Sequence, residues 1–237
     1  MLRYPTHSST MAAVTLSRVG GVIRETGQAL ERFGYDLGWV YTGLERYREH
    51  IFRSQPTSPV NGAAPEAHRN VFIAPSANVT GDVKIGKGSA VFYNTVIRGD
   101  AAPITIGEGT NVQDGCTVST SVSGAGQEET AVSIGHNVTI GHAATLRGCT
   151  LEDGAWVGIG ACVMQGATVE SGAMVAAGAV VLPGSVVPAS QVWAGNPAKY
   201  LRELKPEEVK FLPRSAGLYT DLAKQHRTTC QNASFGL

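Results

Sequence analysis

Several features that mark other protein classes are missing from this 237-residue chain. Lysines plus arginines equal aspartates plus glutamates at 19 each, so no excess positive charge favours nucleic acid binding. The 4 cysteines show neither C-x-x-C spacing nor the density of a disulfide scaffold, which fits a reducing compartment. No run of eighteen apolar residues predicts a membrane-spanning helix. Aromatic residues make up only 7% of the chain, whereas glycine reaches 29 residues, a balance typical of short apolar strands joined by tight turns.

What the chain does have is a six-residue repeat of branched aliphatic residues. The repeat restarts after an offset of three residues, after a longer insertion, and after one deletion. Its eighteen members, called the ladder residues, are Ile73, Val79, Ile85, Val91, Ile97, Ile106, Val112, Val118, Ile134, Ile140, Leu146, Leu151, Val157, Val163, Val169, Val175, Val181 and Val187.

This repeat predicts an all-β solenoid, a parallel β-helix in which three hexapeptides complete one coil. Eighteen ladder positions predict about six coils, stabilised mainly by contacts between neighbouring coils. Glycines that directly follow ladder residues, such as Gly86, Gly107 and Gly141, are interpreted as corner residues. The G-x-G runs are weak evidence for a phosphate-binding loop, because no strand-to-helix turn follows them.

The extent of the repeat also defines the expected segments of the chain. Residues 119–133 contain no ladder residue in phase and are interpreted as a projecting loop, which on solenoids is often the functional face. The expected segments are an N-terminal extension over 1–53, a proline-containing linker over 54–70, the β-helix over 71–190, a C-terminal segment with a helix over 191–227, and a tail over 228–237.

The C-terminal segment predicts an amphipathic helix that starts at Pro206 and packs along the solenoid. Pro213 lies inside this helix and lacks a backbone donor, so a kink or break is expected there. The expected apolar stripe comprises Val209, Leu212, Tyr219, Leu222 and Ala223.

The N-terminal extension differs in composition from the repeat. It holds seven arginines by residue 53 but no lysine, and its first acidic residue is Glu25, a pattern typical of mitochondrial transit sequences. An ordinary flexible N-terminus is the alternative. Residues 11–53 predict one or two amphipathic helices that either pack on their own solenoid or dock on a membrane protein or membrane surface.

Four motifs resemble the γ-class carbonic anhydrases over roughly residues 70–226. They are VFYNTVIRGD (91–100), IGEGTNVQDGCTVS (106–119), IGHNVTIGHAATLRGC (134–149) and AGNPAKYLRELKPEE (194–208). The resemblance implies a left-handed parallel β-helix that assembles as a trimer, with active sites between neighbouring subunits. Members of this family that are active hold zinc through three histidines, two from one subunit and one from its neighbour.

In this chain the resemblance places Ser119, His142 and Arg147 at the three ligand positions, so only one ligand is retained. A catalytic zinc normally needs three protein ligands. An arginine about 4 Å from a dication would be repelled by roughly 8 kcal/mol at an effective dielectric near 20. No cofactor is therefore expected in the isolated chain and no residue is assigned as catalytic, although His142 could complete a zinc site on a neighbouring subunit. The alternative is an interface histidine without metal.

Five further polar residues occupy family positions that flank the metal site or tie subunits together: Arg98, Asp100, Gln113, Asp114 and Asn196. They would position water and protons in an active enzyme, or form a buried interface network of hydrogen bonds in an inactive one. The second interpretation is favoured because the metal ligands are lost. His136 and His226 are interpreted as surface residues.

The resemblance extends to the carbonic-anhydrase-like subunits of mitochondrial respiratory complex I in plants and algae. It implies a non-catalytic structural subunit, peripheral to the matrix side of the inner membrane, which trimerises with other γ-type chains and docks on membrane-arm subunits through residues 1–53. Two alternatives remain open. One is an active zinc-dependent carbonic anhydrase, and the other is a hexapeptide acyltransferase with His142 as general base.

Overall fold

The computed structural model describes residues 56–120 and 130–233, together with residues 22, 23, 26, 27, 29, 30, 33 and 34. The chain divides into two units. The larger comprises Ser54–Thr228, and the smaller comprises Met1–Arg53 with Thr229–Leu237. Three predicted features lie outside the described residues. They are most of the predicted transit sequence, the centre of the predicted loop (121–129) and the last four residues of the tail.

The larger unit is a parallel β-solenoid of about seven turns with one C-terminal helix, which confirms the predicted fold class and adds about one turn. Its strands form three faces. The first face contains β1 (Thr57–Ser58), the first halves of β4 (Asn78–Ile85) and β6 (Val96–Ile106), β8 (Thr117–Ser119), β11 (Thr145–Arg147), β14 (Cys162–Val163) and β17 (Val180–Val181).

The second and third faces complete each turn. The second contains β2 (Glu66–Ala67), the second halves of β4 and β6, β9 (Val132–Ile134), β12 (Thr150–Leu151), β15 (Thr168–Val169) and β18 (Val186–Val187). The third contains β3 (Phe72–Ile73), β5 (Ala90–Val91), β7 (Asn111–Val112), β10 (Thr139–Ile140), β13 (Trp156–Val157), β16 (Met174–Val175), β19 (Gln191–Ala194) and the antiparallel β20 (Lys199–Glu203).

The predicted ladder forms the core of the solenoid. Every one of its eighteen members is buried except Ile73, which is half-buried. Equivalent ladder residues are paired between coils, as in the register Ile97–Val118–Leu146 on the first face. Full burial of such a side chain stabilises a fold by about 1.5–3 kcal/mol.

The N-terminal boundary of the solenoid lies earlier than expected. β1 and β2 fall within the predicted linker 54–70, yet both pair with β4 in parallel register. Two-residue strands flanked by prolines carry too weak a pattern to be recognised as strands from sequence. The proline-containing segment is therefore part of the first turn of the solenoid and is not a free linker.

The C-terminal helix spans Pro206–Ala233 without interruption at Pro213, so the expected break does not occur. The helix covers the third face, where Phe211 stacks on Trp156 with ring centroids 5.7 Å apart. Its buried side includes Leu212 and Ala223, but Val209 and Leu222 are 48% and 37% exposed.

The buried side of the helix is therefore rotated from the predicted stripe towards small residues. Ser215 and Ala216 are both buried, at 2% and 1% exposure. Their short side chains fill positions that a search for large apolar residues passes over.

The described residues of the smaller unit are the end of the C-terminal helix, from Thr229 on, and eight residues between 22 and 34. The eight residues between 22 and 34 are all helical and exposed. Their four large apolar members, Val22, Ile23, Leu30 and Phe33, are each between 61% and 66% exposed. Their helical state agrees with the helix expected here, whereas its amphipathic character stays a prediction; the rest of the extension lies outside the described residues. Within the described part of the chain, no helix combines the length and the apolar character needed to cross a bilayer.

Candidate functional site

Ser119 and Arg147, the two positions that the resemblance assigns to lost zinc ligands, lie side by side on the first face. β8 pairs with β6 on one side and β11 on the other, and this register aligns Arg98, Ser119 and Arg147 in one column. Adjacent strands are about 4.8 Å apart. Each of the three residues follows a buried ladder residue and therefore belongs to the outward side of its strand. Ser119 is half-buried, whereas Arg98 and Arg147 are exposed.

The two arginines of this column differ in their partners. Arg98 donates from Nε to Asp100 Oδ2 at 3.1 Å, and its Nη2 donates to the same oxygen. These bonds lower the pKa of Asp100 below its usual value. Over residues 56–120 and 130–233, the side chain of Arg147 has no hydrogen-bond or ion-pair partner. The column therefore carries, at Arg147, a positive charge that no described residue neutralises.

His142, the retained ligand position, lies at the corner between β10 and β11. Its Nδ1 is 3.1 Å from Asp114 Oδ2, and the two side chains are 43% and 48% exposed. The other oxygen of Asp114 accepts a hydrogen bond from the Tyr93 backbone N–H at 3.0 Å. When Nδ1–H donates to a carboxylate, Nε2 of the neutral imidazole keeps a lone pair for a metal ion or a proton. The Asp114–His142 pair thus has the carboxylate–imidazole geometry that commonly supports a metal-binding histidine.

The five other predicted site residues do not form one network within a single chain. Gln113 is 3% exposed and donates to Asn111 Oδ1 at 3.3 Å beneath the third face. Asn196 is exposed in the turn between β19 and β20. The sequence order of the motifs conceals this arrangement, because consecutive residues of one coil differ in burial and in the face to which they belong. Whether these residues meet across a subunit interface stays a prediction.

The structure contains a second ladder of buried residues, which the search of the sequence for branched aliphatic residues missed. Its members are small residues two positions before ladder residues, among them Thr95, Thr110, Cys116, Ala144, Cys149, Ala155 and Ala161. Burial raises the pKa of Cys116 to about 11 and that of Cys149 to about 12. Both cysteines are therefore packing residues with unreactive thiols, and the recurrence of small residues at this spacing was the signal that could have revealed them.

His226 was also misassigned as a surface residue. Its Nδ1 lies 2.8 Å from the Tyr93 hydroxyl, and its ring packs against Phe72 and Phe92 with centroids 6.0 and 5.9 Å away. This cluster fastens the helix to the third face. His136, in contrast, is exposed as expected, with its Nδ1 accepting from the Glu108 N–H at 2.9 Å.

The zinc ion that the fold family implies does not fit the residues of one chain. In the described residues no three His, Cys, Asp or Glu side chains are close enough together to hold a metal ion. At the ligand positions, Ser119 offers a neutral hydroxyl and Arg147 a permanent cation. Only His142 is a suitable donor.

The solenoid and its corner histidine define a hexapeptide-repeat protein. The fold is shared by a solved structure, a hexapeptide transferase family protein from Anaplasma phagocytophilum, with a TM-score of 0.67 and 41% identity over 71% of this chain and 96% of that one.

Within that class, the sequence is similar to γ-carbonic anhydrases. Gamma carbonic anhydrase 1, mitochondrial, of Arabidopsis thaliana is 45% identical over 208 residues, 88% of this chain and 74% of the relative. Gamma carbonic anhydrase-like 1, mitochondrial, of the same plant is 44% identical over 158 residues, 67% of this chain and 63% of the relative. No protein-family model matches the chain. The chain belongs to the γ-carbonic anhydrase family.

Proposed function

We propose that this chain is a non-catalytic structural subunit of a γ-carbonic-anhydrase-type trimer. The observation that carries the proposal is the pairing of Ser119 with Arg147. The resemblance assigns two of the three zinc ligands to these positions, and neither residue supplies a metal-binding group. The guanidinium of Arg147 has no ion-pair partner among residues 56–120 and 130–233, so its charge opposes a dication. This charge cannot be removed by deprotonation at working pH. A homotrimer of this chain would accordingly lack the zinc hydroxide that hydrates carbon dioxide.

In a mixed trimer, His142 would complete the zinc site of an intact neighbour. The Asp114 carboxylate orients the imidazole, and the side chain of His142 is 43% exposed in the single chain, so it is accessible to another subunit. The chain would then support catalysis by its neighbour while having no zinc at its own lost-ligand column.

The proposed location is the mitochondrion, peripheral to the matrix side of the inner membrane in respiratory complex I. The similar Arabidopsis proteins are named as mitochondrial. The arginine-rich N-terminus without early acidic residues supports the same compartment. The exposed apolar side chains at residues 22, 23, 30 and 33 would supply a docking surface for membrane-arm subunits.

Acyl transfer is a second candidate function. The Asp114–His142 pair is also the arrangement of an oriented general base, and the solved structure from Anaplasma phagocytophilum is described as a hexapeptide transferase. In this case His142 would deprotonate an acceptor at a subunit interface, and the loss of the zinc ligands would be irrelevant to activity.

Metal analysis of the purified full-length chain tests the first proposal. We expect the homotrimer to contain well below one zinc per chain and to show no carbon dioxide hydration above background. The double variant Ser119→His with Arg147→His should bind about one zinc per chain because it restores three imidazoles. Adding His142→Gln to that variant should abolish the binding, whereas adding His68→Gln, at an exposed histidine, should not.

Stoichiometric zinc with hydration activity in the unmodified homotrimer would overturn the non-catalytic proposal. A folded double variant that stays free of metal would show that the lost ligands are wrongly placed. Turnover of acetyl-coenzyme A with an amine or hydroxyl acceptor, abolished by His142→Gln, would favour the acyltransferase.

A mixed trimer with one copy of this chain and two copies of an intact relative tests the donation of His142. If each site takes two ligands from one subunit and the third from its neighbour, this trimer should hold about two zinc ions. His142→Gln in this chain should reduce the content to about one, and His68→Gln should leave it unchanged. Equal zinc content in the two variants would refute the donation.

A further inference from the structure

A basic cavity lies between the C-terminal helix and the first turns of the solenoid, within the larger unit. Its volume is about 440 Å³. It is formed by three segments: residues 70–72, residues 87–89 and the helix between 220 and 227. None of these segments belongs to the column of lost ligands or to the corner of His142, so this cavity is separate from the candidate zinc site.

The walls of the cavity are fixed by contacts between the helix and the solenoid. Arg227 Nη2 donates to the carbonyl oxygen of Val71. The Thr220 hydroxyl is shared between the carbonyl oxygens of Ala216 in its own helix, at 3.1 Å, and of Gly88, at 3.3 Å. The His226 cluster anchors the same turn of the helix to Phe72. These contacts hold residues distant in sequence in a preformed arrangement, which reduces the entropy cost of binding a ligand.

The rim of the cavity is cationic. Lys87, Lys224 and Arg227 all line it. Lys224 pairs with Asp221 at 2.7 Å, but in the described part of the chain no carboxylate lies within ion-pair distance of Lys87 or Arg227. Three cations and one nearby carboxylate leave two positive charges, which matches the charge of −1.5 to −2 on a phosphate monoester near pH 7.

The inner wall of the cavity is different in character. Phe72 and Ala223 contribute apolar surface, and both are buried. The hydroxyl of Ser89 already donates to Gly107 O at 2.6 Å and accepts from Thr110 N–H at 3.0 Å. The wall therefore favours an apolar or aromatic group, while the rim favours an anion.

We propose that this cavity binds an organic phosphate, with the phosphate group among Lys87, Lys224 and Arg227 and its apolar substituent against Phe72. Ammonium and guanidinium groups form charge-assisted hydrogen bonds to phosphate oxygens. A monocarboxylate would leave one of the two positive charges unmatched and should bind more weakly. The same phosphate chemistry is offered by a soluble phosphate monoester and by the headgroup of phosphatidic acid.

The test is calorimetric titration of the full-length chain with phenyl phosphate, with benzoate as the monocarboxylate control. We expect one phenyl phosphate site per chain and at least about tenfold weaker binding of benzoate. Lys87→Gln and Lys224→Gln, both at exposed positions, should each weaken phenyl phosphate about tenfold. The matched control Lys84→Gln removes an exposed lysine from the same turn outside the cavity, and it should change the affinity by less than about twofold.

Sedimentation with phosphatidylcholine vesicles, with and without phosphatidic acid, distinguishes the two sources of phosphate. Binding to phosphatidic acid vesicles alone, lost in Lys87→Gln but kept in Lys84→Gln, identifies a lipid headgroup as the ligand and upholds the phosphate site. Binding to neither phenyl phosphate nor these vesicles overturns the proposal. An equal loss in Lys84→Gln and Lys87→Gln also overturns it, because attraction would then follow overall charge. None of these results depends on zinc at the other site.

Discussion

Single residues decide whether the family's chemistry is present in this chain. Under the proposed assignment, Arg147 and Ser119 replace two zinc ligands, while the Asp114–His142 pair has the geometry of a supported ligand. On that proposal, two residue changes separate this chain from one with a complete set of ligands. The fold is unaffected because these side chains belong to the outward side of strands whose inward neighbours form the core.

The buried cysteines give a prediction at the residue scale. In a variant with Cys162→Ser and Cys230→Ser, the remaining thiols of Cys116 and Cys149 should react with a thiol reagent at pH 8 at least about a hundredfold more slowly in the native chain than in the unfolded chain. Burial raises both pKa values, to about 11 and about 12, and it also excludes the reagent. Labelling kinetics with and without denaturant measure the ratio, and rapid native labelling would contradict the packing role.

Stacked glycines at the corners are the critical feature at the scale of the strand and turn. A Cβ on Gly107 would lie 2.5 Å from the backbone carbon and oxygen of Gly135 in the next coil. The equivalent corner on the third face brings Gly141 and Gly158 together in the same way. Adjacent coils can pack at strand spacing there only because no side chain intervenes.

Gly107→Ala should lower the free energy of unfolding by about 3 kcal/mol or more, since backbone atoms of the next coil must move. The matched control is Gly217→Ala in the C-terminal helix, where a Cβ meets nothing within 4 Å. This variant should be stabilised by about 0.5–1 kcal/mol through helix propensity. Urea unfolding of both variants measures the difference. Similar effects of the two changes would show that the corner does not exclude a side chain.

The start of the C-terminal helix gives a pH prediction. Glu208 accepts two hydrogen bonds from Arg202, at 2.7 and 2.8 Å, and one from the Lys205 backbone N–H at 2.8 Å, as in a capping box. The hydrogen bonds from Arg202 are the main reason that the pKa of the Glu208 carboxyl falls from 4.5 to about 2. Because the folded-state pKa is depressed, the stabilising contribution is present above pH 4.5 and is lost as pH falls towards 2.

The difference in unfolding free energy between the unmodified chain and Glu208→Gln should therefore be largest near neutral pH and shrink between pH 5 and 2. Equilibrium unfolding at several pH values measures it, and subtraction of the two curves removes the contribution of other carboxylates. Glu207→Gln is the matched control on the same turn and should show no such convergence. A difference that is constant with pH would indicate that Glu208 acts through packing alone.

The proposed docking role gives a prediction for the whole molecule. Removal of residues 1–53 leaves the larger unit, which contains the whole core ladder and most of the C-terminal helix. We expect the truncated chain to remain a soluble trimer by light scattering but to be absent from the large complex on native gels. Replacing Val22, Ile23, Leu30 and Phe33 by serine should have the same effect in the full-length chain. Assembly of either variant would refute the docking role.

The sequence by itself determined the solenoid and its order of coils, because a six-residue period of branched aliphatic residues allows few other ways of burying them. It also predicted the helix start at Pro206, where proline and two glutamates favour the first turn. The family motifs further assign Ser119, His142 and Arg147 to the ligand positions, and this assignment stays a prediction.

Only the tertiary structure decided which residues meet. It placed Arg98, Ser119 and Arg147 in one column. It buried the Gln113 side chain against Asn111 and rotated the buried side of the helix towards Ser215 and Ala216. It also joined residues near 71 and 87 to residues near 227 in a basic cavity. The physical reason is that the repeat specifies which residues are buried along the chain. Which residues become neighbours in adjacent coils depends on the lengths of turns and insertions. These lengths shift the register between coils without changing the six-residue pattern.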